Sequence, residues 1–442
     1  MIFDCFTFYD ELDLLELRLR ILEGVVDRFV LCEAPFTFRG DPKPLAFANS
    51  GDRFARWRDR IVPLVYPLAA SPNPWVNEWG QRDHLIAGLT GCDDEDLVLI
   101  GDCDEIPDPA NVALRPARRG ILAHRQRYSA GFVNRVAAEP WIGTRSLAAG
   151  DIARYRTLSE VRKQPRETLA FVDGGWHFTS LGGAAAQAKK IGSASHAEVD
   201  LPYFRDLRRL EVTFAHAVDV RLLPIDATFP APIREDPYWQ PYIWQGPSSG
   251  DPALAGGLEH AHGCLAYVPG DAASVAVLTG EPAPWNAAGS ERFGPRWGGA
   301  LAGPADLERS GGEGPDWVVV DHLERFPAGV LARIGRRGAS VVAFARNVRS
   351  FATFRDVLGG GSFPPGSAPG LAEYRVQIDA AGYAVDRMDQ LRVAEAFVVW
   401  PSMPEVMYGV EVGPIGIGEI ARDDLRTFLT DAFIFILSPV SV

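Results

Sequence analysis

The stretch Leu97-Val-Leu-Ile-Gly-Asp102-Cys-Asp104-Glu105-Ile-Pro107 sets an apolar run directly against three acids. Four consecutive apolar residues have the length of a short strand buried on both faces. Acids appear where that strand leaves its sheet, and Pro107 and Pro109 oppose further pairing. In extended chain Asp102 and Asp104 point to the same side. Two neighbouring carboxylates repel unless a cation or a shared proton intervenes. A hard divalent ion with oxygen ligands meets that need and leaves coordination positions open for an anionic ligand. Asp102 and Asp104 are therefore candidate metal ligands. The plainer alternative is an acidic turn without an ion.

Outward from this stretch, strand-like and helix-like segments alternate. Residues 2–8, 25–33, 61–66 and 96–100 read as strands. Residues 11–22 carry Leu12, Leu15, Leu19 and Leu22 at helical spacing, and 52–60 and 77–89 also read as helices. This order predicts an α/β fold with a parallel sheet flanked by helices. Such sheets bind ligands beyond the carboxyl ends of their strands, which directs attention to residues 7–11, 33–40 and 101–107. The character changes over 244–262, where Gln245-Gly-Pro-Ser-Ser-Gly-Asp-Pro is rich in turn residues. Alternation then resumes, with strands expected at 274–278, 317–321, 340–345, 384–388 and 432–437 and helices at 326–336 and 374–380. The expected organisation is a domain over 1–243, a linker over 244–262 and a second α/β domain over 263–442. The two halves share no internal repeat.

A chain of 442 residues is long for one core, which supports two domains. Its 47% apolar and 23% charged residues suit a folded protein. The net charge of −13 argues against a nucleic-acid partner, because phosphate backbones need a broad basic surface. Arg115, Arg118, Arg119, Arg125 and Arg127 form one short basic cluster, either a solvated face or a contact for anions. Cys5, Cys32, Cys92, Cys103 and Cys264 are odd in number and show no zinc spacing, so reduced thiols and a cytoplasmic location are expected. No apolar run of about 18 residues is present, so no membrane span is expected.

The first half resembles glycosyltransferase family 17. The resemblance rests on blocks in order: Asp4-Cys-Phe-Thr-Phe-Tyr-Asp-Glu11 with the helix through Arg18; Val30-Leu-Cys-Glu33-Ala and Thr37-Phe-Arg-Gly40-Asp-Pro-Lys43; Trp75-Val-Asn77-Glu78-Trp-Gly-Gln81-Arg82; Asp102-Cys-Asp104-Glu105-Ile-Pro107; Pro140-Trp141-Ile-Gly143-Thr144; Gly174-Gly175-Trp176-His177-Phe; and Lys189, Lys190 with Ser195-His196-Ala-Glu198. The blocks span roughly residues 1 to 240. The resemblance implies a GT-A fold and an inverting transfer from a UDP-sugar, with Mn2+ or Mg2+ bound by Asp104, Asp102 and His177. An inverting transfer needs a general base and an electrophilic clamp on the leaving diphosphate. Asp173, Glu198 and Glu105 are the candidate bases. Glu11, Glu33, Gln81, Arg82, Asp102, Lys189 and Lys190 are the candidate contacts to the nucleotide sugar. Each has a plain structural alternative: His177 as a packed residue, Glu33 as a strand-end cap, Glu78 with Arg82 as a helical ion pair. Trp75, Trp79, Trp141 and Trp176 could stack on sugar or uracil rings, or belong to the core. The animal members of this family act on glycoproteins. This chain shows neither an anchor nor a cysteine framework, so a saccharide, lipid-linked saccharide or small-molecule acceptor is expected instead.

The second half resembles a class I S-adenosylmethionine methyltransferase at Asp316-Trp-Val-Val-Val-Asp321-His-Leu-Glu324 and at Ser340-Val-Val-Ala-Phe-Ala-Arg-Asn347-Val-Arg349. The stretch where that fold needs a glycine-rich turn, Val275-Ala-Val-Leu-Thr279-Gly280-Glu-Pro282-Ala-Pro284-Trp, holds one glycine and two prolines. Prolines lack the amide donors a cofactor would use. The expectation is a methyltransferase-like domain without its cofactor, serving as scaffold, acceptor reader or dimerisation element, the last implying a homo-oligomer. His260 and His262 are a further pair able to ligate a metal. Two other readings compete with the glycosyltransferase: a bifunctional glycosyl- and methyltransferase, and a non-catalytic carbohydrate-binding protein.

Overall fold

The computed structural model describes residues 1–115, 120–216, 220–246, 252–309, 314–327, 329–347, 370–391, 408–412, 415–420 and 430–440. Arg118, Arg119, Arg349 and residues 247–251 of the expected linker lie outside them. The chain divides into two compact units, the first comprising Met1–Ala197 and Thr213–Gly250, the second Glu198–Val212 and Asp251–Val442.

The first unit is built on a ten-stranded sheet. Its parallel part consists of β1 (Ile2–Thr7), β2 (Arg28–Glu33), β3 (Ile61–Val65) and β4 (Leu97–Asp102), in the order β4-β1-β2-β3. The alternation of side chains along β4 explains its unbroken apolarity. Leu97 and Leu99 enter one core with Phe6, Phe29 and Leu31, while Val98 and Ile100 enter another with Cys5, Val30 and Tyr66. Helix α1 (Leu12–Leu22) closes the first of these cores through Leu15, Leu19 and Leu22. Helix α2 (Pro74–His84) is capped by the Asn73 side chain, which accepts from the Trp75 amide.

The sheet is not purely parallel. Beyond β4 come β8 (Trp141–Ala148), β6 (Leu122–Ala130), β7 (Arg135–Ala137) and β10 (Val220–Leu222), each antiparallel to its predecessor. The short connection from β6 to β7 cannot make a parallel crossover, which needs a dozen residues or more. Strand β9 (Ala170–Thr179) runs parallel to β6 and also pairs with the two-residue β5 (Glu105–Ile106), with Glu105 opposite His177. That short ladder ties the acidic stretch to the Gly-Gly-Trp-His block. Gly175 has φ +95, and a Cβ there would lie 2.5 Å from the Ile106 carbonyl oxygen, so the close approach of β9 to β5 requires glycine.

The second unit holds a six-stranded sheet in the order β12-β11-β13-β14-β18-β15. The strands are β11 (Val275–Leu278), β12 (Trp297–Leu301), β13 (Trp317–Val320), β14 (Ser340–Arg346), β15 (Tyr383–Leu391) and β18 (Ala432–Pro439). β18 is antiparallel to both neighbours, and the rest of the path is parallel. A separate hairpin pairs β16 (Tyr408–Val412) with β17 (Ile415–Ile420). The expected linker differs from what is observed, because part of it is the helix Pro252–Leu265, whose Ala261, Cys264 and Leu265 are fully buried. Its glycines suggested a turn, but burial of that apolar face outweighs the modest helix penalty of glycine. The prolines after β11 do not break a helix. They occupy the first turn of Pro282–Phe293, where an amide donor has no intrahelical partner.

One side chain on α1 departs from the leucine pattern. Arg18 is fully buried and grips Asp4 of β1 with two hydrogen bonds of 2.7 and 2.6 Å. Removing one partner of such a pair leaves the other charge buried and alone. Arg18→Ala should lower the stability of the first unit by about 3–5 kcal/mol. Adding Asp4→Ala should cost less than the two single losses combined, as read from urea unfolding.

Candidate active site

The same guanidinium shapes the acidic turn. Arg18 donates to the carbonyl oxygens of Asp102 (3.0 Å), Cys103 (3.3 Å) and Glu105 (2.6 Å). β4 ends at Asp102, Cys103 and Asp104 form the turn, and β5 follows. The expectation that both aspartates share one face of an extended strand is therefore corrected, because the strand stops between them and each meets its own partners.

Asp102 accepts from the Thr7 hydroxyl (2.9 Å) and from Arg82 (2.9 Å), and lies 3.5 Å from Arg162. Both terminal nitrogens of Arg82 donate to the one oxygen Glu78 Oε1 at 3.0 Å, so the helical ion pair forms and its arginine also serves the aspartate. Burial alone would raise the Asp102 carboxyl, but the guanidinium groups of Arg82 and Arg162 hold it well below the usual range. Glu105 is buried. Its Oε1 accepts from Arg162 and from the Trp141 indole, both at 2.7 Å, and its Oε2 from the Asp102 amide at 3.2 Å. With both oxygens occupied, Glu105 is poorly placed to act as a base.

Asp104 has a different setting. Lys190 of helix α4 (Ala184–Ser193) lies 2.9 Å from Oδ2, and His177 Nε2 lies 3.3 Å from the same oxygen. Lys190 also bonds the Thr179 hydroxyl. Tyr128 stacks on the His177 ring at 5.1 Å, and Trp141 lies 4.8 Å away on another side. Burial opposes the charge on Asp104, yet the Lys190 ammonium and His177 together keep its carboxyl far below the usual range.

A cavity of about 420 Å³ opens here, lined by Tyr9, Glu11, Asp104, Lys189 and Lys190 among others. It lies beyond the carboxyl ends of β1 and β4, where α/β sheets hold ligands. Glu11 accepts through Oε2 from the Tyr9 and Asp10 amides, each at 3.1 Å, and its carboxyl is pushed up by burial and by the charge of Asp104. Lys189 pairs with Asp10. A second cavity of about 680 Å³ is lined by Arg125, Arg127, Gly174, Trp176 and Thr228. Asp173, on that side, is exposed and 2.8 Å from Arg125.

The structure thus gathers Glu11, Asp104, His177, Lys189 and Lys190 in one place, with Asp102, Arg82 and Glu105 behind them. Two residues expected at the nucleotide are elsewhere. Both oxygens of Glu33 accept backbone amides, Phe47 at 3.1 Å and Ala48 at 3.0 Å, so it caps a loop. Gln81 is buried on α2 away from the cavity lining, its Nε2 without a hydrogen-bond partner. Glu198 begins the segment assigned to the second unit. Arg18 enters the sequence reading only as part of a helical block, and Arg162 and Tyr128 not at all, because an isolated arginine or tyrosine carries no spacing signal. Among the tryptophans, Trp79 packs under the Lys163 ammonium at 3.3 Å and Trp176 donates to the Thr228 carbonyl.

A depressed carboxyl stabilises the fold fully above its unfolded value, ~3.9, and progressively less as pH falls below it. In urea unfolding between pH 7 and pH 3, wild-type stability should therefore drop more steeply below pH ~4 than that of Asp104→Asn. Parallel curves would refute the ion-pair reading of Asp104.

A family model for glycosyltransferase family 17 matches residues 1–231. The human β-1,4-mannosyl-glycoprotein 4-β-N-acetylglucosaminyltransferase is 32% identical over 121 residues, which is 25% of this chain and 21% of that protein. Its rat counterpart is 31% identical over the same extent. The matched stretch is thus about a fifth of the length of these curated relatives. Among solved structures, a complex of a Haloferax volcanii methyltransferase activator with a methyltransferase contributes a match at 15% identity and a TM-score of 0.25, covering 40% of this chain and 88% of that one. A likeness that slight carries no argument.

Proposed function

We propose, from the premise that the chain belongs to glycosyltransferase family 17, that its first unit is an inverting, metal-dependent GT-A enzyme. It would move a sugar, GlcNAc or a related hexose, from a UDP-sugar to a saccharide or other hydroxyl acceptor. The observation that carries this reading is the cavity at the strand ends, where Asp104 meets His177 and Lys190 and where Lys189, paired with Asp10, also lines the wall. Its volume is that of a small-molecule site.

The leaving group of such a transfer is a nucleoside diphosphate, and catalysis needs positive charge fixed where that charge develops. Lys189 and Lys190 supply it from successive positions on α4. Thr179 and Asp104 hold the Lys190 ammonium in place. Glu11 lies on the side of the cavity next to β1, where a hydroxyl of the nucleotide could donate to it.

The residues fit a divalent ion in part. Asp104 Oδ2 and His177 Nε2 are 3.3 Å apart, close to the ~3 Å spacing of adjacent ligands around an ion with ~2.1 Å bonds. These two would hold Mn2+ or Mg2+, which neutralises diphosphate charge when bound, and a nitrogen ligand favours Mn2+ of the two. Asp102 is better suited to orienting the turn than to direct ligation, since Arg82 and Arg162 already claim it. Of the three acids considered as base, Asp173 is favoured. Both oxygens of Asp173 also pair, with the exposed Arg125, but Asp173 is itself solvent-exposed beside the larger cavity, whereas Glu105 is buried.

A second reading concerns the second unit. A parallel sheet with antiparallel β18 inserted between β14 and β15 supports a methyltransferase-like fold. Pro282 and Pro284 at the start of the helix after β11 support loss of its cofactor.

Release of UDP from UDP-GlcNAc with Mn2+ tests the proposal. Lys190→Ala should slow it by about 100-fold, the usual loss for one charge-stabilising donor. Asp104→Asn should abolish the Mn2+ dependence. Asp173→Ala should bind donor normally yet fail to transfer. Wild-type release undiminished in EDTA would refute the metal-dependent account.

A further inference from the structure

We propose that His260, Asp321 and His322 of the second unit form a binding site for one divalent transition-metal ion of the zinc type. The three residues come from the helix Pro252–Leu265 and from the turn after β13, at the carboxyl end of the sheet. One ligand atom from each lies within 4.8 Å of the other two, and among the described residues this is the one such cluster of histidine, cysteine and acidic groups.

The outer contacts favour ligation over simple pairing. Asp321 Oδ2 is fixed by the Thr279 hydroxyl at 2.7 Å and the Trp285 indole at 3.2 Å. Its Oδ1 lies 3.0 Å from His260 Nε2 and 3.7 Å from His322 Nε2. Each histidine has its other ring nitrogen engaged. His322 Nδ1 lies 2.9 Å from Glu324 Oε1, and His260 Nδ1 lies 3.1 Å from the Tyr203 hydroxyl. Metal-bound histidines show this arrangement, in which a second partner sets the tautomer and aims the ligating nitrogen. The Glu324 carboxylate is itself held by the Arg346 amide.

The backbone adds an independent sign. His322 has φ 58 and ψ 71, a left-handed conformation that few residues bearing a Cβ adopt. Such strain tends to persist where a site demands it. Two imidazoles and one carboxylate are a ligand set for Zn2+ and its neighbours, and they leave a position open for water or an anion. Tetrahedral zinc with ~2.1 Å bonds places its ligands about 3.4 Å apart, within the span observed. Cys264 Sγ, 3.8 Å from His260 Nε2, borders the site. His262, the other histidine of the sequence pair, takes no part. Residues two apart on a helix face different directions, and His262 lies near Glu291 at 3.7 Å.

The test uses the full chain, stripped with a chelator and titrated with Zn2+ by calorimetry and with Co2+ by visible absorption. At least one equivalent should bind, with a Co2+ spectrum of low coordination number, and that equivalent should persist in Asp104→Asn. His322→Asn keeps a residue tolerant of left-handed backbone and should weaken binding at least tenfold. Glu324→Gln, which leaves the three ligands intact, should weaken it by about 10–100-fold. Far-UV circular dichroism shows whether each variant is folded. No bound equivalent in the wild type would overturn the proposal. So would folded His322→Asn and Glu324→Gln proteins that bind as the wild type does.

Discussion

A guanidinium in an apolar core needs every donor satisfied, and Arg18 meets that constraint with an aspartate from one strand and three carbonyls from the acidic turn. The desolvation cost of such a group is several kcal/mol, so the turn can hardly move without stranding it. α1, β1 and the turn are thereby locked into one object. The same clamp holds the turn that follows β4 at Asp102, so the two aspartates do not share one face of a continuing strand.

Charge is balanced around the turn in two layers. Behind it, Arg82 and Arg162 neutralise Asp102 and Glu105, which act as a rigid, already satisfied support. In front, Asp104 faces Lys190 and His177 at the wall of a cavity, where an incoming anion can draw on cationic groups already held in place. Under the proposed transfer, preorganised charge of this kind would need little rearrangement when a diphosphate leaves. The division follows from the different partners that neighbouring acids of one motif have.

Much of the parallel core was legible in the sequence, because β4 and α1 bury residues with clear periodicity. The antiparallel extension was not. β6 carries His124, Arg125, Gln126 and Arg127, which read as surface, yet His124 and Gln126 are fully buried. Gln126 finds Thr144, and His124 finds Ser146, across the β6–β8 pair. Polar residues buried inside a sheet, each paired through one atom while His124 Nδ1 and Gln126 Oε1 stay unpartnered, leave no hydrophobic pattern to follow. The site was legible in its acids, its histidine and its lysines, which cluster in short blocks. Arg162 meets Glu105 across 57 residues of sequence. Glu33 looked like a site residue because it ends a strand, and strand ends supply both ligand contacts and loop caps. In the second unit, His260 and His322 are 62 positions apart, and the neighbouring His262 masked the real partner.

The most direct measurement is a crystal structure of the full chain with UDP and Mn2+. The account expects the diphosphate beside Lys189 and Lys190, with the ion bound to Asp104 and His177. A nucleotide seated instead against Arg125 and Arg127, with the Asp104–Lys190 pair untouched, would contradict it.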